Sequence, residues 1–197
     1  TNHKLTGPAI EDFLRKNHID PRHIKTYKDF TAIPLVTKEN YLNHYSLKEL
    51  VWDGDLSRNM MITASSGTTG LPYFWPLTNK HVDDGAVLHE LIYRQSFAID
   101  KHKTLMIICF GMGTWIAGMY TLLASLAVHE KGYRLTMITP GFNKEETLRI
   151  LSLLSPQFEQ TIIAGIPTFV KDVLEEWKDN KARHTVPVIK LLFAGEG

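Results

Sequence analysis

The chain has 197 residues, of which 44% are hydrophobic and 22% charged, with a formal net charge of +1 at pH 7. These values are typical of a globular protein with one large domain or two small ones, and the near-neutral charge gives no bulk electrostatic reason to expect nucleic acid or an anionic membrane as a partner. The single cysteine, Cys109, excludes an internal disulfide and suits a reducing compartment. No apolar run approaches the ~20 residues that span a bilayer, and no charged-then-apolar signal opens the chain, so we expect a cytoplasmic protein.

Short helices are predicted in the first region, residues 1–58. Gly7-Pro8 and Asp20-Pro21 each place a capping residue before a proline, which is favoured at the first position of a helix. Helices this short are not stable alone.

A β-hairpin and a helix are predicted in the second region, residues 59–102. Runs of β-branched and aromatic residues flank the small residues SSGTTG at 65–70. A hairpin needs only an Asn-Gly turn, so we infer that this loop approaches a ligand. It lacks the lysine of a P-loop, and a strand containing Pro76 follows it, but its backbone N–H groups and hydroxyls can still surround phosphate oxygens. The helix is predicted from about Thr78 to Phe97.

Strands and helices alternate in the third region, residues 103–197. The predicted strands are TLMIICF (104–110), YRLTMIT (133–139), QTIIAGI (160–166) and VIKLLFAG (188–195). Glycines or prolines end the strands, and a cap at Asn143 and Pro167-Thr168 begin two of the helices. Short links between alternating elements favour right-handed βαβ units and a parallel sheet, so the fold class is predicted as α/β.

Glycines lie at the carboxyl ends of all these strands, in FGMG (110–113), TPG (139–141), AGIP (164–167) and AGEG (194–197). Ligands of such sheets bind beyond the carboxyl ends of the strands. Turn formation alone would explain any one of these glycines. The four together, with the loop at 65–70, favour a site where a ligand comes close to the backbone.

These stretches carry a resemblance to a known family. SSGTTGLP (65–72) resembles the phosphate-loop signature of adenylate-forming enzymes, the superfamily of acyl- and aryl-CoA ligases, luciferases and peptide-synthetase adenylation domains. FGMGTWIAG (110–118), AGIPTFV (164–170) and LLFAGEG (191–197) are similar to motifs of the phenylacetate-CoA ligase branch, in the order of that branch. The resemblance covers nearly the whole chain and implies the N-terminal part of an acyl-CoA synthetase-like fold.

The resemblance implies that ATP activates a carboxylic acid as an acyl-adenylate and that a thiol, usually coenzyme A, then takes the acyl group. Preorganised donors and Mg²⁺ are expected to carry the catalysis, with no catalytic side chain assigned. The implied nucleotide-binding residues are Ser65, Ser66, Gly67, Thr68, Thr69, Gly70, Gly195, Glu196 and Gly197. The implied substrate-binding residues are Phe110, Trp115, Gly118, Gly165 and Ile166.

The residues offer no other catalytic arrangement. Cys109 lies in the middle of an apolar run and is predicted to be core, and His18 and His23 are predicted to be surface residues without metal-like spacing. Leu71 and Tyr73 flank Pro72 where many family members carry a lysine, so a positive charge near the triphosphate is missing or comes from elsewhere.

We expect the chain to be part of a larger ligase and to be inactive by itself, because the ribose-binding aspartate and the catalytic lysine of the family lie beyond Gly197. Apolar sheet surface left uncovered would make self-association plausible. Two alternatives stay open at this stage, a non-catalytic nucleotide-binding module and another ATP-using phosphoryl-transfer enzyme.

Overall fold

The structure is a computed structural model that describes residues 7–65, 72–179 and 188–195. Its contacts divide the chain into two compact units, residues 1–60 and 61–197. Within the described residues, no helix has both the length and the apolar character needed to cross a membrane.

The first unit consists of short helices, as the sequence predicts. Its α-helices are α1 (Pro8–Lys16), α2 (Tyr27–Thr31) and α3 (Leu47–Leu50), and short 3₁₀ helices lie at Pro21–His23, Leu42–His44, Trp52–Gly54 and Leu56–Arg58. The ring of Phe13 is buried and meets Tyr41 edge-on, with ring centroids 5.3 Å apart. Both His18 and His23 are exposed, which confirms their predicted surface position.

The second unit begins with the predicted hairpin. Strands β1 (Met61–Ala64) and β2 (Phe74–Leu77) pair antiparallel, with Ala64 opposite Phe74. Ser65 and Tyr73 close its neck: the Ser65 N–H donates to the Tyr73 carbonyl (3.0 Å), and the Tyr73 N–H donates to Ser65 Oγ (3.3 Å). Helix α4 (Asn79–Phe97) follows, capped by Thr78 Oγ1, which accepts from the His81 N–H.

The rest of this unit is the predicted parallel α/β sheet. Its strands are β3 (Thr104–Cys109), β4 (Leu135–Ile138), β5 (Gln160–Gly165) and β6 (Val188–Phe193), in the order β4-β3-β5-β6. The helices are α5 (Ile116–His129), α6 (Lys144–Leu153) and α7 (Pro167–Asp179). All described strand pairs of this sheet are parallel, which confirms the predicted fold class.

Helices cover both faces of the sheet, and the alternating side chains of β3 are buried against both layers of helices. Met106 and Ile108 point toward α4 and α5, whereas Ile107 and Cys109 point toward α6 and α7. Every residue of β3 is buried, as expected for a strand covered on both faces. Cys109 is a fully buried core residue, as predicted, and burial raises the pKa of its thiol to about 11.

Candidate functional site

The order of the strands creates a crevice between β3 and β5. From β3 the chain passes through α5 to β4 on one side, and from β5 it passes through α7 to β6 on the other. The two connections therefore leave the carboxyl ends of β3 and β5 in opposite directions. In open α/β sheets ligands bind at such a reversal point, so this end of the sheet is the candidate site.

A cavity of about 470 Å³ lies at this point. Its volume falls within the range of small-molecule sites, roughly 300–1,000 Å³. It is lined by Ala64, Ser65, Phe110, Gly111, Trp115, Ile116, Ala117, Phe142, Ile166, Ala194 and Gly195. The lining thus combines the neck of the hairpin, the start of α5 and residues that follow each of the four strands.

The hairpin reaches the cavity through a backbone contact. The N–H of Ala64 donates to the carbonyl of Thr114 at 2.6 Å, and Ala64 forms a parallel bridge with Trp115. This contact joins the end of β1 to the segment before α5. It places Ser65, the first residue of the hydroxyl-rich loop, at the cavity wall.

Two aromatic rings converge on Gly111, just beyond β3. A methyl group at Gly111 would lie 2.8 Å from Trp115 Cδ1 and 3.2 Å from Phe142 Cε2. Any larger residue would therefore crowd both rings. Trp115 is 40% exposed, whereas Phe110 beside it is 3% exposed and belongs to the core. Gly111 is the position that lets both rings approach the strand end.

A glycine turn forms the β6 side of the cavity. Gly195 has φ +96°, a backbone conformation that residues with L side chains rarely adopt. A Cβ atom added at Gly195 would lie 3.4 Å from Cγ2 of Ile166. Gly195 is exposed and lines the cavity, so a ligand in the cavity can reach its backbone.

The predicted site residues divide into three groups: those that line the cavity, those outside the described residues, and two glycines that do not line the cavity. The cavity brings together Ser65 and Gly195, predicted to bind nucleotide, with Phe110, Trp115 and Ile166, predicted to bind substrate. The other nucleotide-binding predictions lie outside the described residues: Ser66, Gly67, Thr68, Thr69, Gly70, Glu196 and Gly197.

Gly118 and Gly165 do not line the cavity, and each is explained by close packing. A Cβ at Gly118 would lie 2.2 Å from the carbonyl oxygen of Gly111, so glycine lets α5 pack on the loop after β3. A Cβ at Gly165 would lie 2.8 Å from Val170 Cγ2, inside the core toward α7. Glycine at these two positions allows close packing next to the cavity walls.

Sequence reasoning missed several lining residues, of which Phe142 is the largest. It follows the TPG segment that was predicted as a strand end, so its position in the chain was a usable signal. The direction of the Phe142 side chain could not be predicted, because it depends on the backbone conformation of Gly141, whose φ is +62°. Ala64, Gly111, Ile116, Ala117 and Ala194 were also missed as individual site residues.

The described lining residues include no charged side chain. Ser65 is their one side chain with a hydroxyl, and the remaining polar groups are backbone amides and carbonyls and the Trp115 indole. Over the described ranges, no three His, Cys, Asp or Glu side chains come together to hold a metal ion. The described part of the cavity suits an apolar ligand group rather than a metal or a free ion.

Comparisons with known proteins agree with this architecture. The sequence matches no protein-family model and no curated protein. The fold is similar to the crystal structure of a 2-hydroxyisobutyryl-CoA ligase in complex with 2-HIB-AMP and CoA, in the thioesterification state, with a TM-score of 0.67 and 16% identity. The similarity covers 88% of this chain and 36% of the ligase, so the chain spans about a third of that protein's length.

The fold of the chain therefore matches part of the fold of that CoA ligase. At this level of identity the similarity establishes the fold, and the function has to be argued from the site.

Proposed function

We propose that the chain is part of an ATP-dependent carboxylate ligase, which activates an acid as its acyl-adenylate and passes the acyl group to a thiol. The observation that carries the proposal is the uncharged cavity between β3 and β5, with Ser65 of the hairpin neck and the Gly195 turn both in its wall. An apolar acyl group and a nucleotide can share such a site.

The acyl group would occupy the apolar part of the cavity. The walls of that part are apolar side chains, those of Phe110, Trp115 and Ile166. Burial of apolar ligand surface is the main source of affinity in such a pocket. Because the described walls carry no charge, the carboxylate of the acid would point out of the apolar part, toward the hydroxyl of Ser65.

The nucleotide would lie along the glycine-bearing turns. Gly195 provides a backbone that a planar base can approach, which supports the assignment of the 195–197 segment to adenine. We assign the hydroxyls of Ser66, Thr68 and Thr69 to the β- and γ-phosphates, with Gly67 and Gly70 for backbone access, on the likeness of SSGTTGLP to the family loop.

The proposed function also implies which co-substrates the protein uses. The structurally similar ligase was crystallised with an acyl-AMP and CoA, which supports ATP and CoA as co-substrates of the protein to which this chain belongs. Mg²⁺ would neutralise the triphosphate, but no described group of side chains fits a metal ion, so we assign it no residue and no step. The phenylacetate-CoA ligase-like branch is proposed on the sequence motifs FGMGTWIAG, AGIPTFV and LLFAGEG.

A binding experiment tests the proposal on the chain itself. Calorimetry would compare a 5′-O-acylsulfamoyl adenosine, a stable mimic of an acyl-adenylate, with AMP and with the free acid. We expect the mimic to bind more tightly than either part, because it fills both regions of the cavity. A chain that binds AMP equally well with or without the acyl group would be a nucleotide-binding module instead.

A second experiment addresses the reaction. ATP–pyrophosphate exchange that depends on a carboxylic acid, measured on the complete ligase, separates acid activation from other phosphoryl transfer. There, Thr69→Ala should weaken ATP use by roughly 10- to 150-fold, since a hydrogen bond to a charged group contributes ~1.5–3 kcal/mol. Unchanged ATP kinetics would remove the loop from the site. Residues 1–197 alone should show no exchange above background.

A further inference from the structure

The loop after β4 places one aromatic side chain, that of Phe142, in the cavity lining. Phe142 is 53% exposed, yet the backbone on both sides of it is bonded. The Gly141 N–H donates to the Ile108 carbonyl (3.2 Å), and the Asn143 N–H donates to the Pro140 carbonyl (3.3 Å). Asn143 Oδ1 also accepts from the Glu146 N–H, which begins α6 directly after the loop. These bonds fix the backbone from which the Phe142 side chain extends.

The ring itself is supported from two sides. It meets Phe169 of α7 edge-to-face, with centroids 5.5 Å apart and an interplanar angle of 68°. Its Cε2 atom also approaches Gly111, the residue that the Trp115 ring approaches as well. Phe142 and Trp115 therefore narrow the cavity above Gly111, one from the α7 side of the sheet and one from the start of α5.

The strand order places Phe142 at one end of the site. It follows β4, an edge strand of the described sheet, while Ala194 and Gly195 follow β6 at the other edge. Three strand spacings separate those edges, roughly 14 Å. The Phe142 ring reaches back from the end of β4 to Gly111 after β3. A nucleotide along Gly195 would leave the acyl tail to extend past Gly111 toward that ring.

We propose that Phe142 is a specificity-determining residue that sets the longest acyl group the site accepts, with Gly111 keeping the space in front of it open. This inference rests on the proposed function, because it concerns the acyl group of the same acyl-adenylate. The substrate class it assigns is compact acids whose apolar tail ends at the Phe142 ring, and longer chains are excluded by contact with that ring.

Two substitutions should move this limit in opposite directions. Phe142→Ala removes the ring and opens the β4 end, so longer acyl groups should gain affinity. Gly111→Ala adds a methyl group 2.8 Å from Trp115 and 3.2 Å from Phe142, so shorter groups should become the best ligands. Leu153→Ala is the matched control, because Leu153 is 59% exposed but lies at the far end of α6 and outside the cavity lining.

The probe is a series of 5′-O-acylsulfamoyl adenosines from acetyl to decanoyl, titrated by calorimetry into residues 1–197. In the wild type, affinity should rise about fourfold per methylene, the equivalent of ~0.8 kcal/mol, up to an optimum and then fall. Phe142→Ala should extend the rise to longer chains, Gly111→Ala should end it earlier, and Leu153→Ala should leave the optimum unchanged.

The outcomes separate the two levels of the argument. If no mimic of any length binds the wild type more tightly than AMP, the proposed function fails and this inference fails with it. If the mimics bind but Phe142→Ala keeps the wild-type optimum, the proposed function stands and the role of Phe142 is refuted. Thermal denaturation of each variant confirms that a changed profile comes from a folded protein.

Discussion

The phenol oxygen of Tyr93 lies 3.0 Å from the hydroxyl oxygen of Ser125, and neither side chain has any exposed surface. Ser125 in turn donates to the sulfur of Met106 at 3.5 Å. Since a serine hydroxyl has one hydrogen, Tyr93 is the donor to Ser125. The chain of bonds links α4 to α5 and then to β3.

Removing either partner should destabilise the second unit by different amounts. Ser125→Ala leaves the buried Tyr93 hydroxyl without its acceptor, which should lower the free energy of unfolding by about 1–3 kcal/mol. Tyr93→Phe leaves Ser125 still bonded to Met106, so the loss should be about 0.5–1.5 kcal/mol. Urea denaturation measures both, with Ser152→Ala as the control, since Ser152 bonds within its own helix. Equal losses in the two variants would contradict the assigned direction.

The same tyrosine should make the protein less stable in alkali. Burial raises the pKa of Tyr93 from 10.0 to about 12. Above pH 10 the unfolded chain ionises this phenol while the folded chain keeps it protonated, so unfolding is favoured as the pH rises toward 12. The loss is on the order of 2–3 kcal/mol. Burial of Cys109 acts in the same direction, with its pKa raised from 9.0 to about 11.

Denaturation curves between pH 9 and pH 12 check this prediction in the wild type and in Tyr93→Phe. The variant should lose less stability between pH 10 and pH 12 than the wild type does. The loss that begins near pH 9 from Cys109 should be common to both. Parallel curves over the whole range would mean that Tyr93 titrates normally.

Trp115 should control affinity for the acyl group and leave nucleotide affinity unchanged. Trp115→Ala removes a wall of the cavity, and loss of the apolar contact should weaken a long-chain acyl-adenylate mimic by at least tenfold, from ~1.5–3 kcal/mol of burial. Binding of AMP should stay within twofold of the wild type. Trp75→Ala is the matched control, because Trp75 is also 40% exposed and lies outside this cavity's lining. An equal effect of both variants would argue against the pocket assignment.

Gly118 should be required for packing rather than for ligand contact. In Gly118→Ala the new methyl group would lie 2.2 Å from a backbone carbonyl oxygen, which cannot move without shifting the loop after β3. We expect a net loss of about 1–3 kcal/mol in unfolding free energy, despite the better helix propensity of alanine. Calorimetric melting measures it.

Gly85→Ala is the comparison for that prediction. Its methyl group would lie 2.1 Å from the Tyr120 hydroxyl, the far end of a side chain that can rotate away. That movement breaks the hydrogen bond from the Tyr120 hydroxyl to the His81 carbonyl, whereas alanine has the better helix propensity. The net change in unfolding free energy should therefore be small. A larger loss at Gly85 than at Gly118 would show that backbone crowding is not what Gly118 prevents.

Much of the fold could be predicted from local pattern. The apolar run TLMIICF suits a strand covered on both faces, and it forms β3, an inner strand of the sheet. Pro167 before a helical pattern and Gly132 after one mark helix ends through backbone chemistry that acts within a few residues. These signals are local, so they can be read without knowing the fold.

The sequence by itself also determined that glycines and small residues gather at strand ends, and hence where a ligand could approach the backbone. It did not determine which of them line the cavity. Gly118 and Gly195 are equally small in the sequence, but one separates α5 from the Gly111 carbonyl and the other forms the cavity wall. Only the order β4-β3-β5-β6 decides this, because it sets which strand ends are neighbours and in which direction each connection leaves. The convergence of Trp115 and Phe142 on Gly111 follows from that order, since residues so far apart in the chain meet only when β3 and β4 lie side by side.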